Sequence, residues 1–134
     1  MRQAVSADSA PAALGPYSQA IIANGFVFCS GTAGIDPATG AVAEGIEAQA
    51  EQALRNLDAI LAAAGASLTT LVKTTIFYQN VDDFAAINAV YARYMPEPPP
   101  ARSAPANVNL PRGLLISIDA IAVLPAAGSS TQPA

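Results

Sequence analysis

The sequence predicts an α/β domain of the α+β type: a single mixed β-sheet of about five to six strands with two helices on one face. Three observations carry that expectation. Segments 46–64 and 83–94 repeat apolar residues at helical spacing. Extended runs, rich in β-branched and aromatic residues or held straight by proline, surround them. Asn24-Gly25 separates the first two runs, a strong short-range signal for a type I′ hairpin. The resulting order is β-β-α-β-α-β-β, without internal repeat or linker. Two helices cannot cover both faces of such a sheet, so the bare face is expected to meet other copies of the chain.

Residues 1–13 are small and polar, and Val5 with its neighbours offers a weak edge strand. Gly15-Pro16-Tyr17-Ser18-Gln19 turns into a strand over Ser18–Ala23, and the hairpin returns over Phe26–Ser30. Gly31 then ends that strand, where a missing side chain allows close backbone approach. Asp36 to Gly40 has turn composition. The first helix, Ile46–Ala64, has apolar residues at 46, 50, 53, 54, 57, 60, 61 and 64. Its polar face holds Glu47, Gln49, Glu51, Gln52, Arg55, Asn56 and Asp58, and Gly65 follows its end. A strand over Leu71–Tyr78 comes next. Asp82 is placed to cap a second helix, Asp83–Tyr94, which the proline run from Pro96 stops.

Prolines 96, 98, 99 and 100 deliver an extended chain to Ala101–Val108. The turn Leu110-Pro111-Arg112-Gly113 leads to a longer strand, LLISIDAIAVL, which is apolar on both faces. If these two strands pair through that turn, Arg102 comes near Ser117 and Asp119, which share a face by strand alternation. One domain over 1–125 and a frayed tail over 126–134 complete the expected organisation.

Among the 134 residues 52% are hydrophobic and 12% charged, too apolar for a disordered chain and greasy enough to suggest subunit contacts. No apolar run approaches the roughly 18 residues of a membrane span, and the N-terminus lacks a signal-peptide pattern. A soluble cytoplasmic protein with no membrane partner is therefore expected. The net charge is −4 and the six basic residues are scattered, so nucleic acid is not an expected partner. The lone Cys29 excludes an internal disulfide, and without histidine or an acidic cluster no metal is expected. Proton transfer would fall to a carboxylate, tyrosine, hydroxyl or water.

The blocks APAALGPYSQA, FVFCSGTAGIDPATG, QALRNLDAILAAAGASL, LVKTTIFYQNVDDFAAINAVYARY and PARS…LPRG…DAIAV run in order over about residues 10–124. Together they resemble the Rid family, also called YjgF, the reactive intermediate deaminases. The resemblance implies a chorismate mutase-like fold assembled as a homotrimer, with clefts between subunits. It also implies cofactor-free hydrolysis of enamines and imines, of the 2-aminoacrylate or 2-iminopropionate type, to 2-keto acids and ammonia. The substrate is then a small carboxylate, which the planar fork of Arg102 would clamp by both oxygens. By the same resemblance, backbone at Gly31 and Ala104 would hold the reacting nitrogen and the carboxylate. Tyr17, Ser30, Phe84 and Asn88 would line the cleft, with Tyr17 and Arg102 supplied by different subunits.

Other readings of these residues stand beside the functional ones. Phe84 opens the apolar stripe of the second helix, Asn88 suits a polar helix surface, and Tyr17 suits a turn anchor. Cys29 suits a buried strand, and Pro96–Pro100 a positioning strut rather than a proline-rich ligand. The chain also departs from the family pattern. Ser117 stands where deaminating members carry the glutamate that holds or activates water, Ala104 replaces a frequent cysteine, and Thr32 a frequent glutamine. A positioned acid–base group supplies about 10²–10⁴ in rate, and Asp119 lies about 7 Å further along the strand. One expectation is that Ser117 only places a water. Two alternatives follow: a non-hydrolytic sensor of small carboxylates, or a pathway-specific relative such as an aminomuconate-type deaminase or tautomerase.

Overall fold

The computed structural model describes residues 1–125, so the expected tail over 126–134 lies outside the described residues. Asn24 and Gly25 both take positive φ, 54° and 82°, as a type I′ turn requires. They join β2 (Ala20–Ala23) to β3 (Phe26–Ala33), and β1 (Arg2–Val5) pairs with β2 as the outer strand. Helix α1 spans Gly45–Ala63, and a short 3-10 turn over Leu68–Thr70, boxed by Ser67 and Thr70, leads into β4 (Leu71–Tyr78). Helix α2 covers Phe84–Tyr94. β5 (Ala101–Ser103) and β6 (Ile116–Val123) complete one six-stranded sheet in the order β1-β2-β3-β6-β4-β5. The β4–β5 pair is parallel and the other pairs are antiparallel, which makes the sheet mixed.

Three expectations need correction. Asp82 does not cap α2: its amide donates to Asn80 Oδ1 (2.9 Å), and a 3-10 turn over Val81–Asp83 carries the chain in. The local Asx turn offers the backbone a better partner than a cap one turn later. β5 does not pair with β6 but with β4, while β6 inserts between β3 and β4. The apolar β6 gains most at the centre, where Ile116, Ile118, Ala120 and Ala122 are all buried. A three-residue strand behind a proline run suits the edge.

The third correction concerns α1. Gln49 and Asn56 belong to its buried side, at 3% and 1% exposure, beside Leu54, Leu57 and Leu61. Gln49 Oε1 accepts from the Leu115 amide (2.8 Å), and Asn56 Nδ2 donates to the carbonyls of Ala33 (2.9 Å) and Ile35 (2.8 Å). These amides satisfy backbone that leaves the sheet at the ends of β3 and β6. Both helices pack on one face of the sheet, over Val27, Ile76, Ile116 and Ile118. The opposite face is bare and apolar: Phe26 and Phe28 lie on it, tilted against each other at 6.1 Å, with Val123 beside them, all exposed. No helix among the described residues is long and apolar enough to cross a membrane.

Candidate functional site

Arg102 sits in β5 opposite Thr74, and Thr74 faces the helices, so Arg102 does too. Its Nη1 donates to Asn88 Oδ1 at 2.7 Å. The guanidinium carbon lies 5.6 Å from the ring centre of Phe84 and 5.1 Å from that of Tyr91. Phe84, Asn88 and Tyr91 follow one another at helical spacing and form a single face of α2. Tyr78 backs Phe84 with stacked rings 6.0 Å apart. Among the described residues no carboxylate pairs with Arg102. Its charge is balanced only by an amide oxygen and two π faces, which leaves most of its donors for an anion. A cleft of about 440 Å³ opens beside it, walled by Asn88, Tyr91, Met95, Pro96 and Glu97. Ala104, just past β5, packs partly buried against the core.

Tyr17, Ser30, Gly31 and Ser117 gather elsewhere, in a cleft of about 430 Å³ with apolar walls from Leu14, Ile35 and Leu114. Its geometry rests on a bulge. The β3–β6 register shifts between Cys29 and Thr32, so Ser30 and Gly31 together oppose Asp119. A Cβ on Gly31 would stand 2.8 Å from Ser117 Oγ, so the missing side chain is what lets the hydroxyl reach the bulged backbone. Ser30 has a structural task, since its hydroxyl donates to the Ser18 carbonyl (2.6 Å) and its amide to that of Gln19 (3.0 Å). Tyr17 is half exposed at the mouth, and its hydroxyl accepts from the Leu14 amide at 3.3 Å. Gln19 holds the N-terminal wall, accepting from the Ala7 amide (2.6 Å) and donating to the carbonyls of Ala7 and Pro11.

The predicted neighbourhood of Arg102, Ser117 and Asp119 does not form within one chain. β5 stands two strands from β6, roughly 10 Å across the sheet. Ser117 and Asp119 alternate with the buried Ile116, Ile118 and Ala120 and so point to the bare face, away from Arg102. The expected residues thus divide into two groups: Arg102 with Phe84 and Asn88, and Ser117 with Tyr17, Ser30 and Gly31. Phe84 is a platform for Arg102, and Asn88 is its hydrogen-bond acceptor rather than an idle surface residue. Sequence reasoning overlooked Tyr91, although its place seven residues after Phe84 marks the same helix face. It also overlooked Gln19, whose burial leaves no local trace. Among the described residues no three His, Cys, Asp or Glu side chains come close enough to hold a metal.

Comparison with known proteins bears on this arrangement. The profile of the family described as Endoribonuclease L-PSP matches residues 7–124. The chain is 49% identical over 124 residues to Reactive Intermediate Deaminase A, chloroplastic, of Arabidopsis thaliana, covering 92% of this chain and 66% of that protein. It is 44% identical over 126 residues to a 2-iminobutanoate/2-iminopropanoate deaminase of Salmonella typhimurium, covering 92% of this chain and 98% of the other. Escherichia coli TdcF, solved with bound serine, superposes with a TM-score of 0.85 at 35% identity, over 90% of this chain and 98% of that one. With its ordered blocks, its fold and these relatives, the chain belongs to the Rid/YjgF family of reactive intermediate deaminases.

Proposed function

We propose that the protein hydrolyses 2-imino acids and their enamine tautomers to 2-keto acids and ammonia, with Arg102 clamping the substrate carboxylate. The observation that carries this reading is a half-buried guanidinium held by Asn88 and packed by Phe84, with no carboxylate paired to it among the described residues. A planar cation held this way matches a carboxylate by two parallel hydrogen bonds. The relatives named as imine deaminases, and the amino acid bound to TdcF, support a small carboxylate substrate. The reaction uses no cofactor. Water attacks the imine carbon, ammonia leaves, and the Gly31 and Ala104 backbone steadies the reacting nitrogen and the carboxylate.

Catalysis in this reading requires two copies. One chain supplies Arg102, Phe84 and Asn88; a neighbour supplies Tyr17, Ser30, Gly31 and Ser117. The bare apolar face with Phe26, Phe28 and Val123 supports a homotrimer closed over that surface. The reading does not extend to RNA, despite the family's description. Six basic residues face ten acidic ones, and Arg55 and Arg93 are already spent on Glu51.

Ser117 favours a second reading, a sensor that binds small carboxylates without turning them over. Its hydroxyl cannot act as a base at its ordinary pKa. A coupled assay that generates 2-aminoacrylate in situ separates the two. The deaminase reading expects catalysed keto-acid release that falls about 10²-fold or more in kcat/KM in Arg102→Ala. Ser117→Glu is expected to raise kcat roughly tenfold or more, toward the 10²–10⁴ of a positioned acid–base group. Carboxylate binding without turnover in the wild type would establish the sensor instead.

A further inference from the structure

Among the described residues, Tyr91 is the group touching the Arg102 guanidinium that the proposed function leaves without a task. Its ring lies closer to the guanidinium carbon than that of Phe84, 5.1 Å against 5.6 Å. Its hydroxyl is hydrogen-bonded to Thr74 Oγ1 at 2.6 Å, and Thr74 is fully buried in β4. Thr74 is also the register partner of Arg102. The contacts close a ring: the Arg102 backbone runs beside Thr74, Thr74 holds the Tyr91 hydroxyl, and the Tyr91 face carries the Arg102 fork. Asn88, three residues before Tyr91 on the same helix face, fixes the fork from its edge.

We infer that Tyr91 is a positioning residue for the carboxylate clamp, a π platform that sets the plane of Arg102 and is itself aligned by Thr74. This rests on the proposed role of Arg102. An arginine side chain gives up much rotamer freedom when it binds, and a fork already lying flat on a ring gives up less. Burial raises the phenol's pKa, so the hydroxyl keeps its proton and the pair with Thr74 through the neutral range. The platform therefore acts through affinity for the carboxylate, and its loss should appear in KM before kcat.

The test is binding of pyruvate, followed by NMR titration of the whole protein, alongside the thermal midpoint of each variant. Tyr91→Met keeps an apolar filler and removes the π face, and is expected to weaken pyruvate binding about five- to tenfold. Tyr91→Phe keeps the face but loses the bond to Thr74. It is expected to melt at a lower temperature and, with the ring less firmly aligned, to weaken pyruvate binding about two- to threefold, less than Tyr91→Met. A merely structural tyrosine would make binding follow the melting temperature in both variants, and that result overturns the inference. Binding abolished by Arg102→Ala but indifferent to Tyr91→Met overturns it while leaving the clamp intact. Pyruvate binding that survives Arg102→Ala overturns the clamp and the inference with it.

Discussion

Cys29 shows how firmly single positions are set by their surroundings. It lies on the helix side of β3 opposite Ala120, buried. Burial, helped by the charge of Asp119, pushes its thiol from 9.0 up to about 12. A thiol so disposed is a packing group, not a nucleophile. The folded protein is expected to resist iodoacetamide at pH 8, with full labelling appearing only in denaturant. The folded pKa lies above the unfolded one, so the contribution to stability is complete below pH 9 and is lost as pH rises toward about 12. The loss amounts to about 1.4 kcal/mol per pH unit across that window. Denaturant titrations from pH 8.5 to 11 should show this slope in the wild type and a shallower one in Cys29→Ala.

Elements carry the site as much as residues do. α1 sends Asn56 to the end of β3 and Gln49 to the start of β6, the two strand ends that flank the Ser117 cleft. Replacing Asn56 by Leu strands two partly buried carbonyls and should cost up to about 1–3 kcal/mol for each left without a partner. The denaturation midpoint should fall accordingly. Gly34 is equally constrained, since an added Cβ would stand 2.5 Å from the Gln49 carbonyl oxygen. Gly34→Ala should cost about 1–3 kcal/mol by overpacking, and more if α1 cannot retreat.

Signals within a few residues were legible in the sequence: the Asn24-Gly25 hairpin, the bounds of β4 and the apolar stripes of α1 and α2 lie where local pattern puts them. Partnerships across the chain were not. β6 pairs with β3 and β4, residues far away in sequence, and its adjacency to β5 in sequence pointed to the wrong partner. Burial of Gln49 and Asn56 was hidden for the same reason, because their acceptors and donors come from other segments. Of the site, the residue types were legible through the family blocks. Their division between two faces of the sheet was not, because alternation along a strand becomes a face only once the strand order is known.

At the scale of the whole molecule, the cleft beside Arg102 and the cleft holding Ser117 lie apart on one chain, and the proposed function joins them across two copies. The bare face that carries Phe28 and Val123 is apolar and exposed, and under the proposed function Phe28→Asp is expected to shift the protein toward monomer in sedimentation velocity, with loss of the proposed deaminase activity. Subunit complementation tests the proposed shared site most directly. Arg102→Ala removes the proposed clamp from one chain, and Gly31→Leu fills the cleft of the other, where even a Cβ comes within 2.8 Å of Ser117 Oγ. Each variant alone should be nearly inactive. Mixed by unfolding and refolding in equal amounts, they should recover about a quarter of wild-type activity, because random pairing leaves that share of sites with both halves intact. Mixed oligomers that form and remain inactive would contradict the account.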